Sequence, residues 1–307
     1  MMYAKNSAKN VISHIRQWVI FCIHFNKPIM PASVSVFMEL MARSSGYGHI
    51  KSVMGSIHFL HKSLDMTFPS ESFQIDSTLK GLKRRLAKTP FQVLPITPEI
   101  LKRMFHFVDT RNPEHLAIWC SFLVSFFCLF RKASVVQESP PIDTKKTLNR
   151  GSFLLDRKSR TILLYVNHSK VIQFGQRDLV IPMMSNSDPA LDPWRFISKL
   201  FSLYPATSDS PAFTFGRGKC VTYYSFTSNL KKFLSMAGID PSLYSGHSFR
   251  RGGATFLHQS GGNILELQAA GDWSRVCSTR YLFLSLEQRI STQMLMQSSI
   301  DYSSTNW

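Results

Sequence analysis

The most constraining run in this chain is Gly246-His247-Ser248-Phe249-Arg250-Arg251-Gly252-Gly253. His247 and Arg250 are three residues apart, so on a helix they share a face. Gly252, Gly253 and Ala254 carry almost no side chain, which lets another backbone approach closely. The run therefore asks for a second element packed hard against a helix, with an imidazole and a guanidinium at one end of that contact. Two shorter segments follow within thirty-odd residues of it: Gly271-Asp272-Trp273-Ser274 and Arg280-Tyr281-Leu282.

Charge narrows what such a constellation serves. The 307 residues contain 36 Lys and Arg against 19 Asp and Glu, a formal net charge of +17. An excess of this size points to a polyanionic partner, with nucleic acid the commoner case and a membrane surface the rarer one. Residues 1–90 hold 12 of the basic and four of the acidic residues, so the smaller segment is the more densely charged. Apolar residues make up 44% of the chain, enough for a real core. Five scattered cysteines (Cys22, Cys120, Cys128, Cys220, Cys277) form no CxxC pair, which favours a reducing compartment over a disulfide framework. No signal peptide is read at the N-terminus. The most apolar stretch, 116–130, is 15 residues long and ends at Arg131-Lys132. A bilayer needs about 20, so the stretch is expected to be a buried helix and no membrane association is expected.

Hydrophobic periodicity predicts an all-helical segment over 1–90. Val11, Ile15, Trp18, Val19 and Cys22 recur at helical spacing, and Pro28 and Pro31 end that run. Further helices are expected at 34–41, at 50–64 with Val53, Ile57, Leu60 and Leu64 on one face, and at 73–86. In the last, Leu79, Leu82 and Leu86 form the apolar face and Lys80, Lys83 and Arg84 the basic one; with Lys88 they read as acid-free phosphate contacts or as a solvated face. Residues 89–97 carry two of three closely spaced prolines and no charge beyond position 88, and read as an extended linker. Thr97 caps a helix opening at Pro98. The segment 98–307 is mixed. Helices are expected at 98–108, 114–130, 193–203, 222–236, 248–258, 263–270 and 275–283, with a hairpin of 153–155 and 161–166 and short strands at 171–174 and 179–181. The whole is mainly α with a small β-sheet.

Transfer of a phosphodiester needs charge on two non-bridging oxygens, an in-line nucleophile and an acid for the leaving oxygen. Arginine suits the first task, because its planar fork grips phosphate with two hydrogen bonds. Arg131 ends an apolar run, where a charge is costly unless used, and Arg250 stands beside His247. Singly, each candidate has an ordinary explanation. Arg131 is also what a helix C-terminus attracts, His247 a helix-start residue, Lys170 a solvated hairpin lysine, and Trp273 and Tyr281 core aromatics. No paired-carboxylate cluster suits two-metal chemistry. His58 and His61 lack a third ligand. No nucleotide-binding loop is present, and neither cofactor nor metal is expected.

The joint order Arg131 (LFRKASVV), Lys170 (NHSKVIQF), His247 and Arg250 (GHSFRRGGAT), Trp273 (GDWS) and Tyr281 (STRYL) resembles the tyrosine recombinase family of phage integrase-like enzymes. The likeness covers nearly the whole chain. LPIT, GDWS and RYLFLS look most like recombinases of eukaryotic mobile elements of the Crypton and DIRS types, although Trp273 and Tyr281 are one residue closer than in phage and bacterial members. The resemblance implies a helical SAM-like core-binding domain (1–88) that clamps double-stranded DNA, a linker (89–97) and a mixed α/β catalytic domain (98–307). It implies that Tyr281 forms a 3′-phosphotyrosyl link, Arg131 and Arg250 hold the phosphate, Lys170 protonates the leaving 5′ oxygen, His247 handles the tyrosine proton and Trp273 donates or packs. It further implies dimers to tetramers on DNA, docking of 285–299 in trans, a nuclear location and a DNA-binding extension ahead of residue 1. Type IB topoisomerase-like relaxation and a catalytically silent DNA-binding protein are the alternatives.

Overall fold

The structure is a computed structural model, and it describes residues 5–30, 33–67, 73–86, 92–136, 147–166, 179–271 and 273. The chain divides into two compact units, Met1–Gln92 and Val93–Trp307.

The first unit holds four helices: α1 (Lys5–His24), α2 (Ser35–Met41), α3 (Tyr47–Ser63) and α4 (Phe73–Leu86). Their apolar stripes converge on Trp18, which stacks on Phe21, meets Phe37 edge-on and donates its indole N–H to the Ile29 carbonyl. Burial of these stripes, more than helix propensity, holds such short helices. One expectation fails on α3. Leu64 lies beyond the helix end and is 57% exposed, while His61 is fully buried and its Nδ1 lies 2.9 Å from the Ile57 carbonyl of its own helix.

The second unit is built around α6 (Pro113–Phe127), whose residues 116–126 are all buried. Asn112 caps it, accepting from the Glu114 and His115 amides, and Pro113 opens it. α5 (Pro98–Phe105) precedes it, with Thr97 accepting from the Ile100 amide. α7 (Lys132–Val135) follows. An antiparallel sheet of β1 (Phe153–Asp156), β2 (Thr161–Val166) and β3 (Leu179–Met184) lies in that strand order, with Phe153 opposite Leu164 and Leu164 opposite Ile181. Then come α8 (Pro193–Leu203), a two-residue pair β4 (Thr214–Phe215) and β5 (Lys219–Cys220), α9 (Tyr223–Met236), α10 (His247–Gln259) and α11 (Ile264–Gly271). The expected helix at 275–283 and strand at 171–174 lie outside the described residues.

Two glycines fix the seat of α10. A Cβ on Gly252 would stand 1.8 Å from the Ile96 carbonyl oxygen, and one on Gly253 2.1 Å from that of Phe126. The pair thus sets α10 against α6 on one side and against residues 93–97 on the other. The Ile96 amide donates to the Ser248 carbonyl, the Leu94 amide to the Leu243 carbonyl, and Arg251 to the Val93 carbonyl. Residues 93–97, read from sequence as linker, are therefore packed into the second unit, and Ile96 is fully buried.

Candidate active site

α6 stops three residues earlier than periodicity suggests. Leu129 adopts φ +52°, and the Leu129 and Phe130 amides close back onto Phe126 and Ser125. This is the left-handed helix stop usually given to glycine, here held by a leucine that is itself buried. The turn swings the chain out of the helix axis. Contrary to expectation, Arg131 is therefore neither the last residue of an apolar helix nor buried. It is the half-buried residue just before α7, in extended backbone.

Arg250, one turn into α10, is 3% exposed. Its guanidinium donates to the Leu129 carbonyl and, at 2.7 Å, to the Gly271 carbonyl, and it lies 4.4 Å from the centre of the Trp273 ring. These contacts fix the plane of the fork and tie together the turn before Arg131, the end of α11 and the tryptophan. Trp273 packs so tightly over Gly271 that a Cβ there would fall 2.4 Å from the indole. With Leu129, Ala254 and Leu267 it forms a small apolar floor. Packing beneath Arg250 is the role its geometry displays.

His247 is the first residue of α10, and its amide donates to Ser245 Oγ. Partial desolvation of the ring, then the positive charges of Arg131, Lys132 and Arg250, hold its pKa below the ordinary value. The surroundings thus favour the neutral form of the imidazole beside these cations. Among the described residues no carboxylate forms an ion pair with Arg131, Lys132 or His247. Like charges gathered without acids raise one another's energy until an anion arrives. The arrangement can therefore grip a phosphate and hold a proton acceptor beside it.

Sequence reasoning missed Lys132 and its partners Tyr223 and Thr227. The signal available was slight: Lys132 adjoins Arg131, and Tyr223 and Thr227 share a face of α9 at i, i+4. Lys170 and Tyr281 lie outside the described residues. Tyr244, the tyrosine nearest the HxxR run, is buried in the core and its pKa is raised by that burial, so it is poorly placed as a nucleophile.

In the first unit, Lys80, Lys83 and Arg84 are exposed on α4 while Leu82 is buried beneath them. Contrary to expectation, the basic face is not acid-free. Asp76 lies one turn before Lys80 and pairs with it at 2.6 Å, and Glu39 of α2 reaches Arg85 at 3.4 Å. Lys88 lies outside the described residues.

Comparison with solved structures assigns the architecture. A Tn1549 transposon integrase in complex with transposon right end DNA superposes with a TM-score of 0.60 over 96% of this chain and 95% of that one, at 10% identity. The fold is that of the tyrosine recombinases. The XerH site-specific recombinase in a post-cleavage complex with palindromic difH substrate gives 0.58, 15% identity, and 86% and 69% coverage. A lambda integrase dimer bound to a COC′ core site gives 0.57, 12%, and 91% and 72%. No family model and no curated protein matches the sequence itself. At these identities the tyrosine recombinase likeness speaks to the path of the backbone, and the chemistry rests on the side chains described above. No helix among the described residues is long and apolar enough to cross a membrane.

Proposed function

We propose that this protein is a site-specific DNA recombinase that cuts and rejoins double-stranded DNA through a 3′-phosphotyrosyl intermediate. The observation that carries the reading is the convergence of Arg131, Arg250 and a neutral-leaning His247 within a tyrosine recombinase fold. Tyr281 Oη attacks the scissile phosphorus as its proton passes to His247. The P–O5′ bond breaks, and Lys170 protonates the departing 5′ oxygen. Arg131 and Arg250 neutralise the non-bridging oxygens, and Trp273 keeps Arg250 in plane from below. The phosphotyrosyl bond conserves the energy of the phosphodiester, so reversal needs no nucleotide.

The wording of the motifs favours a recombinase of a Crypton- or DIRS-like mobile element acting in a nucleus, as a dimer or tetramer on its DNA. Lys80, Lys83 and Arg84 of α4, with Lys88 beyond it in the sequence, would contact the DNA backbone. In Tn1549, a transposon, an integrase of this fold is seen with DNA of that element. A suicide substrate, nicked so that the 5′ product diffuses away, should trap a covalent protein–DNA adduct. Arginines here supply the charge that magnesium supplies in carboxylate-based nucleases, so the adduct should form in excess EDTA. DNA binding with no adduct would leave a silent DNA-binding protein. Relaxation of supercoiled DNA without exchange between two sites would indicate a type IB topoisomerase-like enzyme.

A further inference from the structure

Lys132 opens α7 immediately after Arg131, yet its side chain is only 8% exposed. Its Nζ donates to Thr227 Oγ1 at 3.0 Å and sits 3.2 Å from the centre of the Tyr223 ring. Both partners belong to α9. The Thr227 hydroxyl donates in turn to the Tyr223 carbonyl, which leaves its oxygen lone pairs toward the ammonium. The aliphatic stem runs beneath Gly246, where an added Cβ would stand 2.9 Å from both Cβ and Cδ of Lys132. Gly246 has ordinary right-handed helical dihedrals, so the glycine is required here by space and not by backbone conformation.

A buried ammonium is costly, and an acid normally offsets it. Lys132 has a hydroxyl and an aromatic face instead, which orient the charge without cancelling it. We propose that Lys132, seated on Tyr223 and Thr227, is a positioning residue of the cleavage site: it anchors the segment carrying Arg131 to α9 and, through Gly246, sets where His247 stands. This rests on the recombinase reading for its catalytic meaning, but its physical content does not. Among the described residues the charged groups that reach His247 are Arg131 and Lys132 from the start of α7 and Arg250 from its own helix. Lys132 adds a positive charge that favours the neutral imidazole, and Tyr223 and Thr227 of α9 keep that charge in place.

The test uses the full chain and two readouts. The first is the titration of His247 by NMR, with DNA absent. Lys132→Met keeps the stem and removes the charge, so the His247 pKa should rise toward about 6.5; Lys132→Arg should leave it low. The second is the single-turnover rate on the suicide substrate. Lys132→Met and Gly246→Ala should each slow cleavage about 10- to 100-fold at little-changed DNA affinity. Lys132→Arg should recover part of the rate, and the acid limb of the Lys132→Met pH profile should move up with the pKa. If Lys132→Met does not fold, Thr227→Val should slow cleavage and let the His247 pKa rise part of the way, and a full rate with an unshifted pKa then overturns the proposal. An unshifted His247 in a folded Lys132→Met protein, or full cleavage rate in Gly246→Ala, overturns the proposal. Absence of any adduct in the parent protein defeats the recombinase reading instead, and the DNA-free titration still decides whether Lys132 acts on His247.

Discussion

The basic residues of α4 and those around α10 illustrate two ways of holding positive charge. On α4, Lys80, Lys83 and Arg84 project from an exposed face, and acids stand nearby: Asp76 on Lys80, Glu39 on the neighbouring Arg85. Ion pairs this exposed contribute little and exchange readily with water or phosphate. Around α10 the cations are buried or half-buried. Arg250 is held by two carbonyls and an indole, and Lys132 by a hydroxyl and an arene. The first arrangement suits a mobile polyanion of any sequence, because its geometry is soft. The second suits one phosphate at one place, because its geometry is set before the phosphate arrives.

The largest effect should come from breaking the second arrangement. Arg250→Lys keeps the charge but cannot bond both the Leu129 and Gly271 carbonyls in one plane. Covalent cleavage should fall roughly 10²–10³-fold with overall DNA affinity nearly unchanged. Equal loss of affinity and cleavage would mean that Arg250 is an ordinary backbone contact, like those on α4.

The pH profile tests the same group from another side. His247 has a lowered pKa through desolvation and then its three cationic neighbours. The acid limb of kcat/KM for cleavage, which reports the free enzyme, should therefore lie below about 6.5. Stability follows the same sign. Above about 6.5 the imidazole is neutral in folded and unfolded chains alike. As pH falls, the unfolded chain protonates first, so His247 costs the fold stability down through its own lower pKa and no more beyond it. His247→Gln should remove this acid-side loss in urea titrations. An acid limb well above about 6.5 would place the imidazole outside the cationic group.

Smaller effects are expected at the basic residues of α4 and at Lys88. Changing Lys80, Lys83, Arg84 and Lys88 to Ala should weaken binding to all DNA sequences similarly. The salt dependence should flatten by roughly one unit of slope for each phosphate no longer neutralised. The cleavage rate at saturating protein should hold. Asp76→Asn frees Lys80 and should strengthen binding slightly at low salt. An unchanged salt slope after the four substitutions would remove α4 from the phosphate backbone.

Much of this architecture could be read from the chain, and the failures have physical causes. Periodicity located the described helices other than the four-residue α7, because each has an apolar stripe, and Thr97-Pro98 announced its cap. Periodicity did not show that Leu129 would leave the helix, since a leucine in a left-handed stop looks like continued helix. That one residue moved Arg131 from a helix end to the start of α7. Leu64 misled for a related reason: an apolar side chain past the helix end has no face to join, and His61 fills the core instead. Residues 93–97 look like a linker because their prolines and lack of charge say extended, and an extended segment packs as well as it spans. The two-residue strands β4 and β5 are too short to show alternation. Asp76 lay in plain view, and its one-turn spacing to Lys80 was the missed signal on α4. Arg250, His247 and Trp273 stood out in the chain only through their joint order with the other candidates, and the structure brings the three together. Lys132 did not stand out, because nothing in a sequence marks a lysine whose ammonium will rest on an aromatic ring.

On the proposed function, a phenol placed in a cationic field becomes covalently joined to DNA. A tyrosine with its ordinary pKa near about 10 is a weak nucleophile until such a field favours the phenolate. The direct measurement is peptide mapping of the trapped adduct, run beside Tyr281→Phe. The nucleotide should be found on the peptide containing Tyr281, and Tyr281→Phe should bind DNA normally and form no adduct. An adduct on Tyr223, Tyr244 or Tyr302, or one that survives Tyr281→Phe, would contradict the account.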